Sequence, residues 1–588
     1  MPGAAPEIDT IIMDLSSGYG SAESVAALTD GMLGVRMILL RTLIDTLDAD
    51  APETAATAGI HEAYRTLADL QLTHQDTVAT MLCYPHTGPW LTHVLGRTTA
   101  EPGDCEVPLW ADCGYLGWLA AAACITCLPE GTMRLVIRNG VIMLPTLGLA
   151  QLTAEGYNGP CELRWTATGT LSFTWAEGSI DIDSPADESH PQWLPLRRIH
   201  AADGEPHVWL DDLDPFRHLM PAQTPPPRLD AEQARIWQRD FADAWHLLRD
   251  NLRQYLPPMR SALRSLAPLS AKPVVASTSH TASHGVGCVY TTAPADRCQL
   301  ALTLIHEIQH TKFNLLTDQV QLFDADPGCR FYAPWRDDPR PIFGLLHGIY
   351  AFFGVTDFWR VHRNSDCHGS QQAHTDFELW RAQVAVAVGQ AQTSGLLTAE
   401  GHRFINALAQ AMLPWQNEPI PPEAVHAAAE AMTAHRTFWR VRNLEPDPAW
   451  IADLATRWAA NQPPSAEVAA VTHTDQRRIP NHHRQLPLAA LLKTTSTAAP
   501  ATRRLPGQLE GDRAYLAGYR SEAVALYTRE LRTDPLRPQA WAGLALAVPK
   551  IFGADHTTIL SERAEVAARL YRAVGPETDP LKLLRWLS

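Results

Sequence analysis

Two histidines four residues apart, His306 and His310, enclose Glu307 in the run His306-Glu307-Ile308-Gln309-His310. Residues at that spacing stand one above the other on one face of an α-helix, so two imidazoles can grip a single divalent ion. Leu304, Ile305, Ile308 and Leu315 supply the apolar flanks that would fix such a helix in a core. The first chemistry this permits is peptide hydrolysis, with zinc as the metal and Glu307 as general base to a zinc-bound water.

A third ligand tests that reading. A histidine six residues after His310 is excluded because position 316 is Leu, and the next glutamate after Glu307 is Glu378. Asp318 and Asp324 remain, outside the expected helical context. His347, in Phe343-Gly-Leu-Leu-His-Gly-Ile-Tyr-Ala-Phe-Phe, is the better choice. It falls on an apolar helical run, and Gly344 and Gly348 beside it would permit close helix approach. The competing reading of His347 is a hydrogen-bonded core histidine. His362 and His368 lie in a more polar stretch and rank below it.

Between these histidines runs Arg330-Phe-Tyr-Ala-Pro-Trp-Arg-Asp-Asp-Pro-Arg-Pro-Ile. Guanidinium forks bind carboxylates in bidentate fashion, so a proline-stiffened loop carrying Arg336 and Arg340 could clamp an anionic small molecule at the metal. Equally, those arginines could pair with Asp337 and Asp338 and stack on Trp335. Cys124 and Cys127 have metal or redox spacing, but no second such pair completes a four-thiolate site, and both read as small core hydrophobes.

The elements that must position these groups can be read from periodicity. A chain of 588 residues exceeds a single core, so about three or four units of roughly 150 residues are expected. The reading is α+β and predominantly helical, in five parts. Residues 1–128 form a helical region and 129–228 a strand-rich region with the alternation of an antiparallel meander. Residues 229–460 form a helical metal-binding core around the zincin-like helix Cys298 to Leu316. A linker covers 461–505, and 506–588 form helical hairpins that resemble a tetratricopeptide repeat. A net charge of −16 argues against a nucleic-acid binder, which would show a basic face. No run reaches the ~18 uninterrupted apolar residues of a membrane span. The acidic start, with Glu7, Asp9 and Asp14, lacks a signal peptide's basic residues, so the expected location is cytoplasmic.

Three segments in order, Leu302-Thr-Leu-Ile-His-Glu-Ile-Gln-His-Thr-Lys, Tyr332-Ala-Pro-Trp-Arg-Asp-Asp-Pro-Arg-Pro and Gly344-Leu-Leu-His-Gly-Ile-Tyr-Ala-Phe, resemble one family. It comprises bacterial HExxH-domain proteins encoded beside ribosomally synthesised peptide clusters. The resemblance runs from about Leu15 to Val441 and takes in Asp112-Cys-Gly-Tyr-Leu-Gly, Leu144-Pro-Thr-Leu-Gly and Leu210-Asp-Asp-Leu-Asp-Pro-Phe-Arg. It implies an iron(II), 2-oxoglutarate-dependent dioxygenase that hydroxylates the β-carbon of a residue, Asp or His, in a precursor peptide. His306, His310 and His347 would then bind Fe(II), and Arg336 or Arg340 would hold the distal carboxylate of 2-oxoglutarate. Glu307 would be left to orient a ligand or water. The precursor peptide is the implied partner, with a radical-SAM maturase of the same cluster beside it. Two alternatives stand: a zinc metallopeptidase using Glu307, and a non-catalytic, metal-containing scaffold that binds peptides.

Overall fold

The structure is a computed structural model. It describes residues 7–99, 106–188, 190–201, 206–217, 227–270, 279–280, 285–365, 370–465, 471–480, 486–488, 492, 507–553 and 558–588. His368, the proline-rich stretch 221–226 and much of the expected linker 461–505 lie outside the described residues. The fold is mixed α+β, 60% helical with several small sheets. The chain divides into two compact units, Met1–Leu15 with Tyr19–Val320, and Ser16–Gly18 with Gln321–Ser588.

In the first unit, helix α1 (Ala22–Asp50) starts at Ser21, whose hydroxyl accepts from the Ser24 amide at 3.1 Å. Val25, Leu28, Met32, Arg36, Leu40, Leu43 and Leu47 recur at three- and four-residue steps on its buried side. Helix α2 (Tyr115–Cys127) is apolar on every side and buried from Tyr115 to Cys124. By length and composition Leu109–Cys127 and Ile342–His362 could cross a membrane, yet in each 78% of the most apolar window is buried inside the protein, as in core helices.

Among the described residues the strands that follow are β1 (Gly131–Ile137), β2 (Val141–Leu144), β3 (Gly148–Gln151), β4 (Gly159–Trp165), β5 (Leu171–Trp175), β6 (Gly178–Ile182), β7 (Trp193–Pro195), β8 (Arg197–His200) and β9 (His207–Leu210). They do not form the single antiparallel meander expected. Two sheets have the orders β1-β4-β5-β6 and β2-β3-β7. A third takes β8 and β9 into the order β11-β12-β10-β9-β8, with β10 (Ser265–Leu269), β11 (Ser279–His280) and β12 (Cys288–Thr292). There β10 runs parallel to both β9 and β12. Every residue of β10 and β12 is buried, so neither strand shows the alternation that marks a half-exposed strand in a sequence.

The expected bounds at 128 and 228 therefore fall inside one unit. A single apolar cluster joins helical residues such as Leu43, Trp90 and Trp118 to Leu135, Leu163 and Phe173 of the sheet and to Phe216. Helix α3 (Ala231–Asn251) begins with a reciprocal cap between Asp230 and Gln233. Helix α4 (Arg297–Thr317) follows β12 almost at once, capped by Asp296, whose Oδ1 accepts from the Gln299 amide at 2.8 Å. It packs against α3 and α1.

The second unit is built on helices α5 (Ile342–His362), α6 (Ser370–Gln392) and α7 (Pro422–Asn443), and its C-terminal part includes the helices α8 (Arg520–Thr533), α9 (Pro538–Ala547) and α10 (Ala564–Val574). The expected core 229–460 is thus divided at 320/321, and its latter part shares a core with residues 506–588. Ala428, Ala431 and Phe438 of α7 pack in one cluster with Tyr527, Trp541 and Leu570. Arg440 holds Glu565 through two hydrogen bonds, at 2.7 and 2.5 Å. The glycine at 543 is required: a Cβ there would lie 2.1 Å from the Tyr527 ring.

Candidate metal centre

Helix α4 is unusual in burying polar side chains around its circumference. Glu307, Gln309, Thr311, Lys312 and Asn314 are buried beside Leu304, Ile305 and Ile308. Buried polar groups are retained where they are hydrogen-bonded, and the Lys312 amine donates to the Tyr19 carbonyl. Burial lowers its pKa to about 7, against the opposing charge of Asp14. On this fixed helix the His306 and His310 rings meet edge to face, with centroids 4.6 Å apart and planes at 87°.

Their Nε2 atoms are 3.1 Å apart. With metal–nitrogen bonds of about 2.0–2.1 Å, two nitrogens at that separation subtend about 100° at a shared ion, between octahedral and tetrahedral values. One proton held between two neutral rings fits the same distance, so the pair can exist without metal and accept it with little rearrangement. Burial lowers the pKa of His306, with the Glu307 charge acting the other way. That favours the neutral imidazole which binds metals. Glu307 is 1% exposed and its Oε1 lies 3.9 Å from His306 Nε2. Two imidazoles with a carboxylate beside them suit Fe(II) or Zn(II). Among the described residues, no group of three or more His, Cys, Asp and Glu side chains stands ready to hold a metal ion.

His347 belongs to the second unit, on α5, where its ring stacks on Phe343 at 5.3 Å and 21°. The glycines beside it serve a purpose other than the helix approach expected. A Cβ at Gly348 would lie 2.2 Å from the Trp335 ring, and one at Gly344 would lie 2.9 Å from Arg340 Nε. The loop, rather than a helix, presses on this face of α5. Trp335 stacks on Phe352 at 4.8 Å and 13°. Gly348→Ala is expected to cost about 1–3 kcal/mol by overpacking, read as a lower denaturation midpoint; an unchanged midpoint would show that Trp335 moves freely.

Both candidate arginines use Asp338. Arg336 Nε donates to its Oδ1 at 2.9 Å and Arg340 Nη1 to its Oδ2 at 3.2 Å. Against the effect of burial, these two cations hold the Asp338 carboxyl below its usual range. Asp337 uses its carbonyl, which accepts from Arg442 and Asn443 of α7. Each guanidinium has five N–H donors, so both retain capacity for an anion while Asp338 fixes their direction. His362 is a core residue, stacked on Phe358 at 5.2 Å. Asp318 caps α4 and is exposed. Cys124 is a buried free thiol, pushed up to about 11 by burial.

The first unit also contains a buried ionic cluster to which the sequence reading gave no role. Asp211, fully buried, accepts from the Tyr84 hydroxyl and from the amides of Leu213 and Asp214, and lies 3.0 Å from His86 Nε2. The Tyr290 hydroxyl lies 3.1 Å from His86 Nδ1, and Tyr115 donates to Asp214 at 2.7 Å. The sequence signal was three carboxylates interleaved with Leu210, Leu213 and Phe216, which places acids at a buried strand end. Burial alone would raise Asp211, but His86 and the Tyr84 and Asp214 hydrogen bonds bring it well below 3.8. Burial alone would lower His86, but Asp211 and Asp214 raise it above 6.5.

The His86 contribution to stability is fully present below pH 6.5 and is lost as pH rises through the raised folded value. The Asp211 contribution is present above pH 3.8 and is lost as pH falls towards the depressed one. Maximum stability is therefore expected on the acid side of neutrality. His86→Gln should flatten the alkaline arm of the Tm–pH curve, and an arm of unchanged slope would exclude a charged His86.

No protein-family model matches the chain, and no curated protein matches it.

Proposed function

We propose that the chain is a non-haem iron oxygenase that uses 2-oxoglutarate to hydroxylate the β-carbon of a residue, Asp or His, in a ribosomally synthesised precursor peptide. The observation that carries this reading is the 3.1 Å separation of His306 Nε2 and His310 Nε2 on a rigid, buried helix. The lack of any glutamate between Glu307 and Glu378 weighs against the common peptidase ligand set. His347 as third ligand rests on the sequence resemblance. Of the two arginines, Arg340 is the better candidate for the 2-oxoglutarate carboxylate. It lies against Gly344, one turn from His347 on the same helix face.

Iron with 2-oxoglutarate, when bound, supplies the oxidising power for C–H hydroxylation. The chain's residues do the positioning. His306 and His310 would donate from one face, Glu307 would be available to orient a water or ligand, and the Asp338 pairings direct the arginines. The same reading carries a cytoplasmic location, tetratricopeptide-like C-terminal hairpins and a radical-SAM maturase as neighbour. The zinc peptidase reading keeps one observation in its favour, the Glu307 carboxylate 3.9 Å from His306 Nε2.

Anaerobic reconstitution with iron(II) and 2-oxoglutarate should give a weak visible charge-transfer band. Air and the neighbouring precursor peptide should then give a gain of one oxygen atom with succinate release, abolished in His347→Ala. Cleavage of the peptide would establish the peptidase instead, and bound metal without any product would establish the scaffold.

A further inference from the structure

Strand β8 is the edge of the five-stranded sheet, and β7, just before it, is the edge of the three-stranded sheet. The extended run Trp193–His200 is thus the rim of two sheets at once. An edge strand presents N–H and C=O groups to any strand that arrives. Which of them point outward follows from His200. Its N–H donates to Gln238 Oε1 at 3.0 Å and its C=O accepts from Gln238 Nε2 at 2.7 Å. The carboxamide of this α3 residue imitates one peptide unit of a neighbouring strand. Backbone groups two residues apart point the same way, so the N–H and C=O of Arg198 face that side too. No turn, loop or cap among the described residues bonds to them.

Beside this rim lie two depressions, of about 440 and 660 Å³, which share Ala186, Pro195, Leu196 and Arg198. The smaller lies between β8 and α3, where Ala231 and Ala234 leave room along the strand. The larger continues past Trp165 and Leu171. Thr146 on its wall has a φ of 72°, rare for a β-branched residue. The charges are not random. Arg197 and Arg228 are paired with Glu188 and Asp212. Arg198 and Arg235 are exposed, and among the described residues neither has a carboxylate partner. On a chain of net charge −16, this basic rim over an apolar floor is a local exception.

We propose that this rim binds an extended acidic peptide segment of another molecule, added as a strand to β8. Its carboxylates would meet Arg198 and Arg235, and its alternate apolar side chains would fill the depressions. Strand addition draws affinity from main-chain hydrogen bonds and specificity from pockets spaced two residues apart. The proposal does not depend on which metal, if any, His306 and His310 hold.

The test uses the full chain without metal and a short fluorescein-labelled peptide of alternating Asp and Val, followed by anisotropy. Binding is expected, with the Lys–Val counterpart inactive and the Asp–Val peptide N-methylated on one strand edge also inactive. Arg198→Glu with Arg235→Glu should weaken binding at least about tenfold, and hydrogen exchange of the wild type should show the Arg198 amide protected by the peptide. Failure of the Asp–Val peptide to bind, or equal binding of the N-methylated one, would overturn the proposal. So would an Arg198 amide already protected in the free chain, which would mean that the chain's own residues cover the edge.

Discussion

His310→Ala is expected to leave a folded protein that no longer retains iron or zinc. An outer-shell partner alone is worth about 10- to 100-fold in metal affinity, so loss of a direct imidazole ligand should exceed about 100-fold. His306 Nε2 would lose the neighbour now 3.1 Å away, and with it the two-imidazole chelate that the helix itself provides. The measurement is metal content after dialysis against chelator, with His61→Ala, at an exposed histidine on another helix, as the control. Equal retention by His310→Ala and the parent would mean that the two rings are a hydrogen-bonded core pair and that the metal proposal is wrong. Glu307→Gln then divides the chemistries. It should spare metal binding in both, abolish cleavage by a peptidase, and leave 2-oxoglutarate turnover measurable in an oxygenase.

The largest effect on stability should come from far outside that helix. Asp211→Ala would leave His86, Tyr84 and two backbone amides facing a cavity without their common acceptor. Removing one partner of a buried ion pair costs about 3–5 kcal/mol, because the other charge stays buried and uncompensated. A whole domain is stable by only about 5–15 kcal/mol, so much of the variant should be unfolded well below the parent's denaturation midpoint. Combining Asp211→Ala with His86→Phe should cost less than the sum of the two, since the second change removes the stranded cation. Strict additivity would show that the two side chains do not interact.

Residues that report on themselves were legible in the sequence. The spacing of His306 and His310 fixes their common helix face whatever surrounds them, because helix geometry is local. The burial of Cys124 in an unbroken apolar helix, and the strand texture from Gly131 to Ile182, were legible for the same reason. The parallel pairing of β10 with β9 and β12 was not, since β10 and β12 are buried on both faces and show no period of two. Nor was the task of Gly344 and Gly348. A glycine announces close approach, but only the fold reveals that the visitor is the ring of Trp335 and the guanidinium of Arg340.

What the sequence determined by itself was therefore a pair of imidazoles on one helical face and the elements flanking them. Tertiary structure decided which groups share a core. It joined the N-terminal helices to the sheet, and the C-terminal helices to α7. It also made one buried network of Tyr84, His86, Asp211 and Tyr290, residues more than 200 positions apart at the extremes. Side-chain periodicity is set within a few residues by backbone geometry, whereas shared burial and charge pairing depend on chain segments that meet only when the whole unit folds.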